Sequence, residues 1–230
     1  MSITIAPTPW LALGAGGARR SFDMVTAGAA ILWLCPLFAC IAVAILLESG
    51  RPVFFSQTRL GLDGRHFKLL KFRKFGPAEG TGGLPVTLAN DTRLTGVGKF
   101  LERTKLDELP QFWNVLKGDM AIVGPRPESL RFADCFSGPF LALLRHKPGI
   151  FGPAQAMFRN ESAHYGPGGD PETTYRKLLF PAKAAIDLGY YDGRTLMRDM
   201  IWICLSIGAI FGIPLAGQRN LQPGQAKAVQ

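Results

Sequence analysis

The most pronounced pattern in the chain is an apolar stretch near its start. Met24–Leu47 contains 24 consecutive residues without a charged side chain. As a straight helix it would measure about 36 Å, enough to cross the hydrocarbon core of a bilayer, which is about 30 Å thick. Pro36 lacks the amide hydrogen that a continuous helix needs, so the pair Cys35-Pro36 predicts a break or kink. Two half-helices entering and leaving on one face, or a kinked span, would both satisfy this pattern.

A second uncharged run, Met200–Ala216, lies near the other end of the chain. It is shorter and contains two glycines and a proline. The pattern favours a helix lying in the membrane interface, or equally a buried core helix.

Between the two runs, the periodicity predicts a mixture of strands and helices. Two β-type segments flank Asp63-Gly64, a strong hairpin signal. Apolar residues at helical spacing follow within Thr95–Leu116, with Pro110 near a helix start. We also expect helices over Leu130–Leu144 and Thr173–Leu188, the latter with an element that ends or begins at Pro181.

Composition and charge narrow the possible functions. Hydrophobic residues make up 47% of the chain and charged residues 19%, which excludes intrinsic disorder. The net charge is +9, and Arg51–Lys105 alone holds eleven basic against four acidic residues. A local excess of this kind indicates nucleic acid, acidic lipid or a phosphorylated ligand, or simply a solvated basic face.

The densest group of chemically versatile residues lies within Arg93–Glu128. Asp107 and Glu108 are adjacent carboxylates that could divide nucleophilic or metal-binding work from proton transfer. Spacing alone equally fits an acidic pair at a helix N-terminus. Arg126 lies in the rigid loop Gly124-Pro125-Arg126-Pro127, which suits bidentate phosphate binding. Lys68, Lys71, Arg73 and Lys74 could add positive charge around a diphosphate, or face anionic lipid headgroups.

Taken together, these stretches resemble the bacterial sugar transferase family of monotopic phosphoglycosyl transferases. The resemblance covers about residues 19–213. The matching stretches are, in chain order, Arg20-x-x-Asp23, Pro52-Val53-Phe54-Phe55-Ser56-Gln57, Gly61-x-x-Gly64, Lys71-Phe72-Arg73, Asp91-x-Arg93-Leu94-Thr95, Leu106-Asp107-Glu108-Leu109-Pro110-Gln111, Asn114-Val115-Leu116-Lys117-Gly118-Asp119-Met120, Val123-Gly124-Pro125-Arg126-Pro127 and Lys147-Pro148-Gly149-Ile150. So many ordered motifs in register are far more specific than any one of them.

The resemblance implies a reaction and a set of roles. Such enzymes move a sugar phosphate from a nucleoside diphosphate sugar, usually a UDP-sugar, to polyprenol phosphate and release the nucleoside monophosphate. By resemblance, Asp107 is the nucleophile that forms an aspartyl phosphosugar and lies near Mg²⁺, and Glu108 assists it. The residues expected to bind substrate phosphate are Arg126, Lys71, Arg73 and Arg103.

The resemblance also implies an α+β fold with a mostly helical catalytic domain, a small β-hairpin and a re-entrant membrane helix broken at Pro36. We expect a flexible leader over residues 1–18, the membrane hairpin over 19–50, the catalytic domain with an interfacial C-terminal helix over 51–217, and a tail over 218–230. Because nucleotide sugars are cytoplasmic, the catalytic domain should face the cytoplasm at the bacterial inner membrane. Apolar membrane faces could support a homodimer, and no nucleic-acid partner is expected.

Three departures from the family pattern stand out. Cys35 replaces the serine of the usual Ser-Pro pair, Glu102 replaces a basic residue, and Gly149–Gln155 differs from the usual Gly-Ile-Thr-Gly pattern, with Arg159-Asn160-Glu161 following it. Glu102 keeps open a catalytically silent scaffold in a glycan assembly complex. A glycosyl transferase that releases nucleoside diphosphate is another alternative.

Overall fold

The computed structural model describes residues 13–76, 91–165 and 170–215. The expected tail over 218–230 and residues 1–12 of the expected leader lie outside these ranges. Within them, seven α-helices and four short strands surround a mixed core. The fold is therefore the expected α+β type with few strands.

Helix α1, Leu13–Ser49, contains the first apolar run. It begins inside the expected leader and continues through Pro36, so the interruption predicted at Cys35-Pro36 is not confirmed. Both of these residues are exposed. Among the described helices, the segment Gly17–Ser49 of α1 is long and apolar enough to cross a membrane, with a mean hydropathy of 2.7 in its most apolar window.

The predicted hairpin is confirmed. Strands β1, Phe54–Leu60, and β2, His66–Phe72, pair antiparallel, with Phe54 opposite Phe72 and Leu60 opposite His66. Asp63 and Gly64 supply the two positive φ angles of the connection, 54° and 74°. This left-handed backbone is the conformation that an Asp-Gly pair tolerates best.

Short helices follow the hairpin. Thr95 caps α2, Gly96–Thr104, by accepting a hydrogen bond from the Gly98 amide. Helix α3, Gln111–Lys117, begins directly after Pro110, as predicted. The segment expected as one helix over Leu130–Leu144 is instead two 3-10 stretches, Leu130–Cys135 and Gly138–Arg145. The single-helix prediction is wrong because Gly138 adopts a φ of 54°, which a continuous helix does not allow.

The remaining elements close the domain. Strands β3, Ala121–Val123, and β4, Gly149–Phe151, pair in parallel. The helices of this part are α4, Pro153–Met157; α5, Pro171–Thr174; α6, Phe180–Tyr191; and α7, Leu196–Ile210. A π-helical turn, Tyr175–Leu179, joins α5 to α6, and Pro181 lies in the first turn of α6, as expected.

Helix α1 packs on the domain through one face along its length. Ala27 belongs to a core cluster with Phe112, Val115 and Ile122, whereas Ile45 packs with Phe72 and Leu101 in another. The two clusters involve opposite halves of α1. One domain therefore holds both halves of the apolar helix.

Candidate active site

The acidic pair lies in a tight connection between α2 and α3. After α2 ends, Lys105 takes a left-handed conformation with a φ of 60°, and Leu106–Glu108 form a single 3-10 turn. Leu106 and Leu109 pack against the apolar cluster beneath α1. These anchors hold Asp107 at 1% exposure, and Pro110 then starts α3.

Two lysines from the end of the hairpin approach the acidic pair. Lys71 Nζ donates to Glu108 Oε1 at 2.7 Å and lies 3.7 Å from Asp107 Oδ2. Lys74 Nζ lies 3.8 Å from Asp107 Oδ2 and also bonds Glu102. The carboxylates therefore face ammonium groups, and this favours a chemical site over a simple acidic helix start.

Burial and charge act differently on the two carboxylates. Burial raises the pKa of Asp107 despite the opposing effect of Lys71 and Lys74. For Glu108, burial also disfavours the charge, but Lys71 and Arg126 outweigh it and hold the pKa well below its usual range. Glu108 is thus ionised at neutral pH, while Asp107 is a poorly solvated carboxyl group whose ionised form would be a more reactive oxygen nucleophile.

Glu102 also belongs to this group. Its side chain accepts a hydrogen bond from Lys105 Nζ at 2.7 Å and pairs with Lys74. Burial would raise the pKa of Glu102, but Lys105 and Lys74 lower it to about 2. The acidic departure from the family pattern is therefore neutralised by two lysines.

Close backbone contacts fix the loop that carries Arg126. The Gly124 amide donates to the Phe151 carbonyl at 2.9 Å, and the Gly149 amide donates to the Pro125 carbonyl at 2.9 Å. A Cβ on Gly124 would lie 2.2 Å from the Lys147 carbonyl oxygen, so only glycine fits here. Burial alone would lower the pKa of Arg126, but the charge of Glu108 and other nearby groups raises it.

The structure separates the other predicted phosphate ligands. Arg73 borders the cavity, but its guanidinium donates to the carbonyls of Ser49, Gly50 and Arg51 at the end of α1. Arg103 is exposed and is not among the residues that line the cavity. Of the four predicted phosphate ligands, Lys71 and Arg126 lie together beside the acidic pair.

A cavity of about 700 Å³ opens beside this group. Its charged and polar lining includes Arg59, Lys71, Lys74, Glu102, Lys105, Glu108, Arg126, Glu128, Arg159, Glu161, Tyr175 and Lys183. Its apolar lining reaches Ile210 and Phe211 at the end of α7. A cavity with a polar interior and an apolar margin suits a ligand that is part polar and part hydrocarbon.

Several of these lining residues were not predicted from sequence. Glu128, Tyr175 and Lys183 belong to no motif, and Glu161 was noted only as part of an altered stretch. They are separated by up to 55 residues in the chain and meet only through packing of the helices around Tyr175. Lys183 and Asp187 in the mostly apolar helix α6 are the one signal in the sequence that could have drawn attention to this region.

The carboxylate oxygens of Asp107 suit a metal ion that the substrate would also help to hold. Among the described residues, no group of three or more His, Cys, Asp or Glu side chains could hold a metal. Asp107 Oδ1 is buried without a hydrogen-bond partner, which leaves a carboxylate oxygen available for a cation. Mg²⁺ commonly binds through one or two carboxylates together with phosphate oxygens and water, and these residues fit that arrangement.

Comparison with known proteins identifies the family. Residues 15–212 match the family described as bacterial sugar transferase. The chain is 41% identical over 196 residues to the UDP-N-acetylgalactosamine-undecaprenyl-phosphate N-acetylgalactosaminephosphotransferase of Aeromonas hydrophila, covering 84% of this chain and 43% of that protein. It is 46% identical over 140 residues to the UDP-glucose:undecaprenyl-phosphate glucose-1-phosphate transferase of Escherichia coli K12, covering 60% of this chain and 30% of the relative.

A third relative matches over most of both chains. The exopolysaccharide production protein ExoY of Rhizobium meliloti is 30% identical over 210 residues, which is 85% of this chain and 86% of ExoY. This chain thus spans less than half of the first two relatives and nearly all of the third. Because the family match extends over most of its length, the chain belongs to the bacterial sugar transferase family.

Proposed function

We propose that the protein transfers a sugar phosphate from a nucleoside diphosphate sugar, most simply a UDP-sugar, to polyprenol phosphate in the membrane. The products are polyprenyl diphosphate sugar and UMP, and the reaction starts the assembly of an exopolysaccharide, capsule or glycoconjugate. One observation carries the proposal: Asp107 and Glu108 both lie beside Lys71, and Glu108, Lys71 and Arg126 line a cavity with an apolar margin. The named activities of the relatives agree with it.

In the first step, a carboxylate oxygen of Asp107 attacks the β-phosphorus of the donor. The bond from this phosphorus to the oxygen bridging the two phosphates breaks, and UMP leaves with that oxygen and its electron pair. An aspartyl phosphosugar remains. In the second step, a phosphate oxygen of polyprenol phosphate attacks the same phosphorus, the phosphorus–oxygen bond to Asp107 breaks, and the carboxylate is restored.

The surrounding charges stabilise this transfer. Lys71 and Arg126 would offset the negative charge that builds up on the phosphate oxygens, acting as fixed charges in a poorly hydrated site. Burial lowers the pKa of Lys71, and the charge of Glu108 opposes this effect and holds the ammonium group in place through a 2.7 Å contact. Mg²⁺, which Asp107 and the donor phosphates would hold, supplies additional charge neutralisation when bound.

The contacts of α1 favour a re-entrant placement over a membrane crossing, even though the helix is continuous through Pro36. Asp23 Oδ1 accepts a hydrogen bond from the Ile122 amide, and Glu48 accepts one from the Val97 amide. Both ends of the apolar segment are therefore bound to one domain, which a helix with its ends on opposite membrane faces would not permit. Leu32 and Trp33, just before Pro36, are 79% and 85% exposed, which suits insertion into lipid.

Helix α7 supports the same membrane placement. Met197, Ile201 and Phe211 are 71%, 49% and 80% exposed, while Asp199 is buried. This apolar face suits a helix lying in the interface, close to the apolar margin of the cavity. We place the domain on the cytoplasmic face of the inner membrane, where nucleotide sugars are available, and the homodimer stays a prediction.

Product analysis tests the proposal. Full-length protein in lipid nanodiscs is incubated with Mg²⁺, undecaprenol phosphate and a panel of UDP-sugars. The wild type should release UMP with at least one donor, and Asp107→Asn should lose this activity. Asp134→Asn is the matched control because Asp134 pairs with Arg176 on the surface, outside the cavity lining.

Each other outcome has a clear meaning. Release of UDP would indicate simple glycosyl transfer and refute the covalent step. Absence of any turnover in folded protein would favour the silent scaffold. Mass spectrometry of the protein after reaction without lipid should detect the sugar phosphate on the peptide that contains Asp107.

A further inference from the structure

A second charged cluster lines the cavity and is not used by the transfer step. It consists of Glu128, Glu161, Tyr175 and Lys183, and is called here the Glu161 cluster. Lys183 is 4% exposed, Glu128 6% and Tyr175 2%. Burying charged side chains in this way costs free energy that an apolar core would avoid, so the cluster invites a functional explanation.

Hydrogen bonds connect the side chains of the cluster. Lys183 Nζ donates to Glu161 Oε2 at 2.9 Å and to the Tyr175 hydroxyl at 3.0 Å. The Tyr175 hydroxyl donates to Glu128 Oε1 at 2.5 Å. The Tyr165 hydroxyl donates to Glu161 Oε1 at 2.7 Å. Each oxygen of Glu161 thus has one donor and can accept another, and its side chain keeps 22% exposure.

The charge state of Glu161 defines the ligand chemistry. Burial would raise its pKa, but Lys183 and Arg126 outweigh this and lower the pKa to about 2. At neutral pH Glu161 is therefore an acceptor with no proton to donate. The two carboxylates of the cluster outnumber its one ammonium group, Lys183, so the cluster favours a hydrogen-bond donor without negative charge over a phosphate. Neighbouring hydroxyls of a sugar ring fit this requirement.

Arg126 connects this cluster to the reacting group. Arg126 lines the same cavity as Glu108 and Glu161, and the charges of both carboxylates raise the pKa of its guanidinium. A donor whose phosphates lie at Arg126 therefore has its neighbouring sugar within the same cavity as Glu161.

We propose that the Glu161 cluster binds a pair of hydroxyl groups of the donor sugar, with the Glu161 carboxylate as acceptor, and so contributes to the choice of sugar. This rests on the proposed function, because it takes the donor to be a nucleoside diphosphate sugar. The ribose of the nucleotide offers a similar hydroxyl pair, and the test separates the two.

Binding without turnover provides the test. Isothermal titration measures the Kd of UDP-glucose, UDP-galactose, UDP-N-acetylgalactosamine and UMP for full-length Asp107→Asn protein in nanodiscs, with and without Glu161→Gln. A lost hydrogen bond to a charged group weakens binding by about tenfold or more. We expect that loss for the UDP-sugar that binds most tightly, and a change of less than about twofold for UMP, because UMP lacks the sugar.

Three results would overturn the proposal. If Glu161→Gln weakens UMP binding as much as UDP-sugar binding, the cluster binds the ribose. If it changes the affinity of none of these ligands, the cluster binds none of them; and if the Asp107→Asn protein binds no UDP-sugar more tightly than UMP, the sugar contributes nothing to affinity. Glu172→Gln is the matched control, because Glu172 pairs with Arg131 and Arg176 outside the cavity lining. If Glu161→Gln lowers the melting temperature, Glu161→Asp replaces it and keeps the charge beside Lys183.

The outcome is separate from that of the proposed transfer reaction. Wild-type protein that fails to release UMP would refute the reaction, while the binding comparison would still report on the cluster. Normal UMP release with no effect of Glu161→Gln on donor affinity would refute only the role of the cluster.

Discussion

Replacing Lys71 with methionine removes an ammonium group that faces the buried Asp107 and the partly buried Glu108. Its Nζ lies 2.7 Å from Glu108 Oε1 and 3.7 Å from Asp107 Oδ2, and its side chain is 15% exposed. Breaking a buried ion pair by removing one partner costs about 3–5 kcal/mol, because the remaining charge stays uncompensated. Lys74 and Arg126 still face the two carboxylates in the variant, so we expect the free energy of unfolding of Lys71→Met to fall by about 3 kcal/mol near neutral pH, the lower end of this range.

The loss should depend on pH with a defined sign. The lowered pKa of Glu108 stabilises the fold above the ordinary Glu value, and this contribution disappears as pH falls through the folded-state value. Asp107 has a raised pKa, so its ionisation already weakens the fold as pH rises through that value. Without Lys71 both carboxylates are harder to ionise. The variant should therefore be most destabilised at high pH and approach the wild type in acid.

Urea unfolding in detergent at several pH values measures this difference, and the pH profile of UMP release measures the effect on the nucleophile. The acid limb of that profile should move to higher pH in Lys71→Met. The control is Lys117→Met, which breaks an exposed pair with Asp119 and should cost at most about 1 kcal/mol. Equal losses for the two variants, or an acid limb that stays in place, would refute this account of Lys71.

Further substitutions test other parts of the site. Glu102→Gln should move the acid limb to lower pH, opposite to Lys71→Met, because the charge of Glu102 raises the pKa of Asp107; a pH profile shows the sign. Gly124→Ala should cost about 1–3 kcal/mol of stability in urea unfolding, since its Cβ would overlap the main chain beside β4. Arg73→Gln should lower the melting temperature but leave the KM for the sugar donor unchanged, because Arg73 binds carbonyls at the end of α1. A higher KM would instead indicate that Arg73 binds the donor phosphate.

The backbone preferences of neighbouring residues account for the secondary structure that was predicted correctly. The hairpin around Asp63-Gly64 and the start of α3 after Pro110 follow from the backbone preferences of a few neighbouring residues. The same reasoning failed over Leu130–Leu144. Apolar spacing there fits a helix, but the left-handed Gly138 divides it, and the apolar residues of both pieces pack on α6 instead.

The residues of the candidate site also divide into those predicted from the sequence and those found only in the structure. From the sequence, Asp107, Glu108 and Arg126 could be predicted as site residues, because they lie in the ordered motifs that resemble the family. The folded structure shows that Arg73 donates to carbonyls at the end of α1 and that Glu161 lines the cavity, and neither could be predicted from the motifs. Side chains far apart in the chain meet through helix packing, and burial then sets their charge states. Motif spacing encodes neither distance nor dehydration, so those assignments require the folded protein.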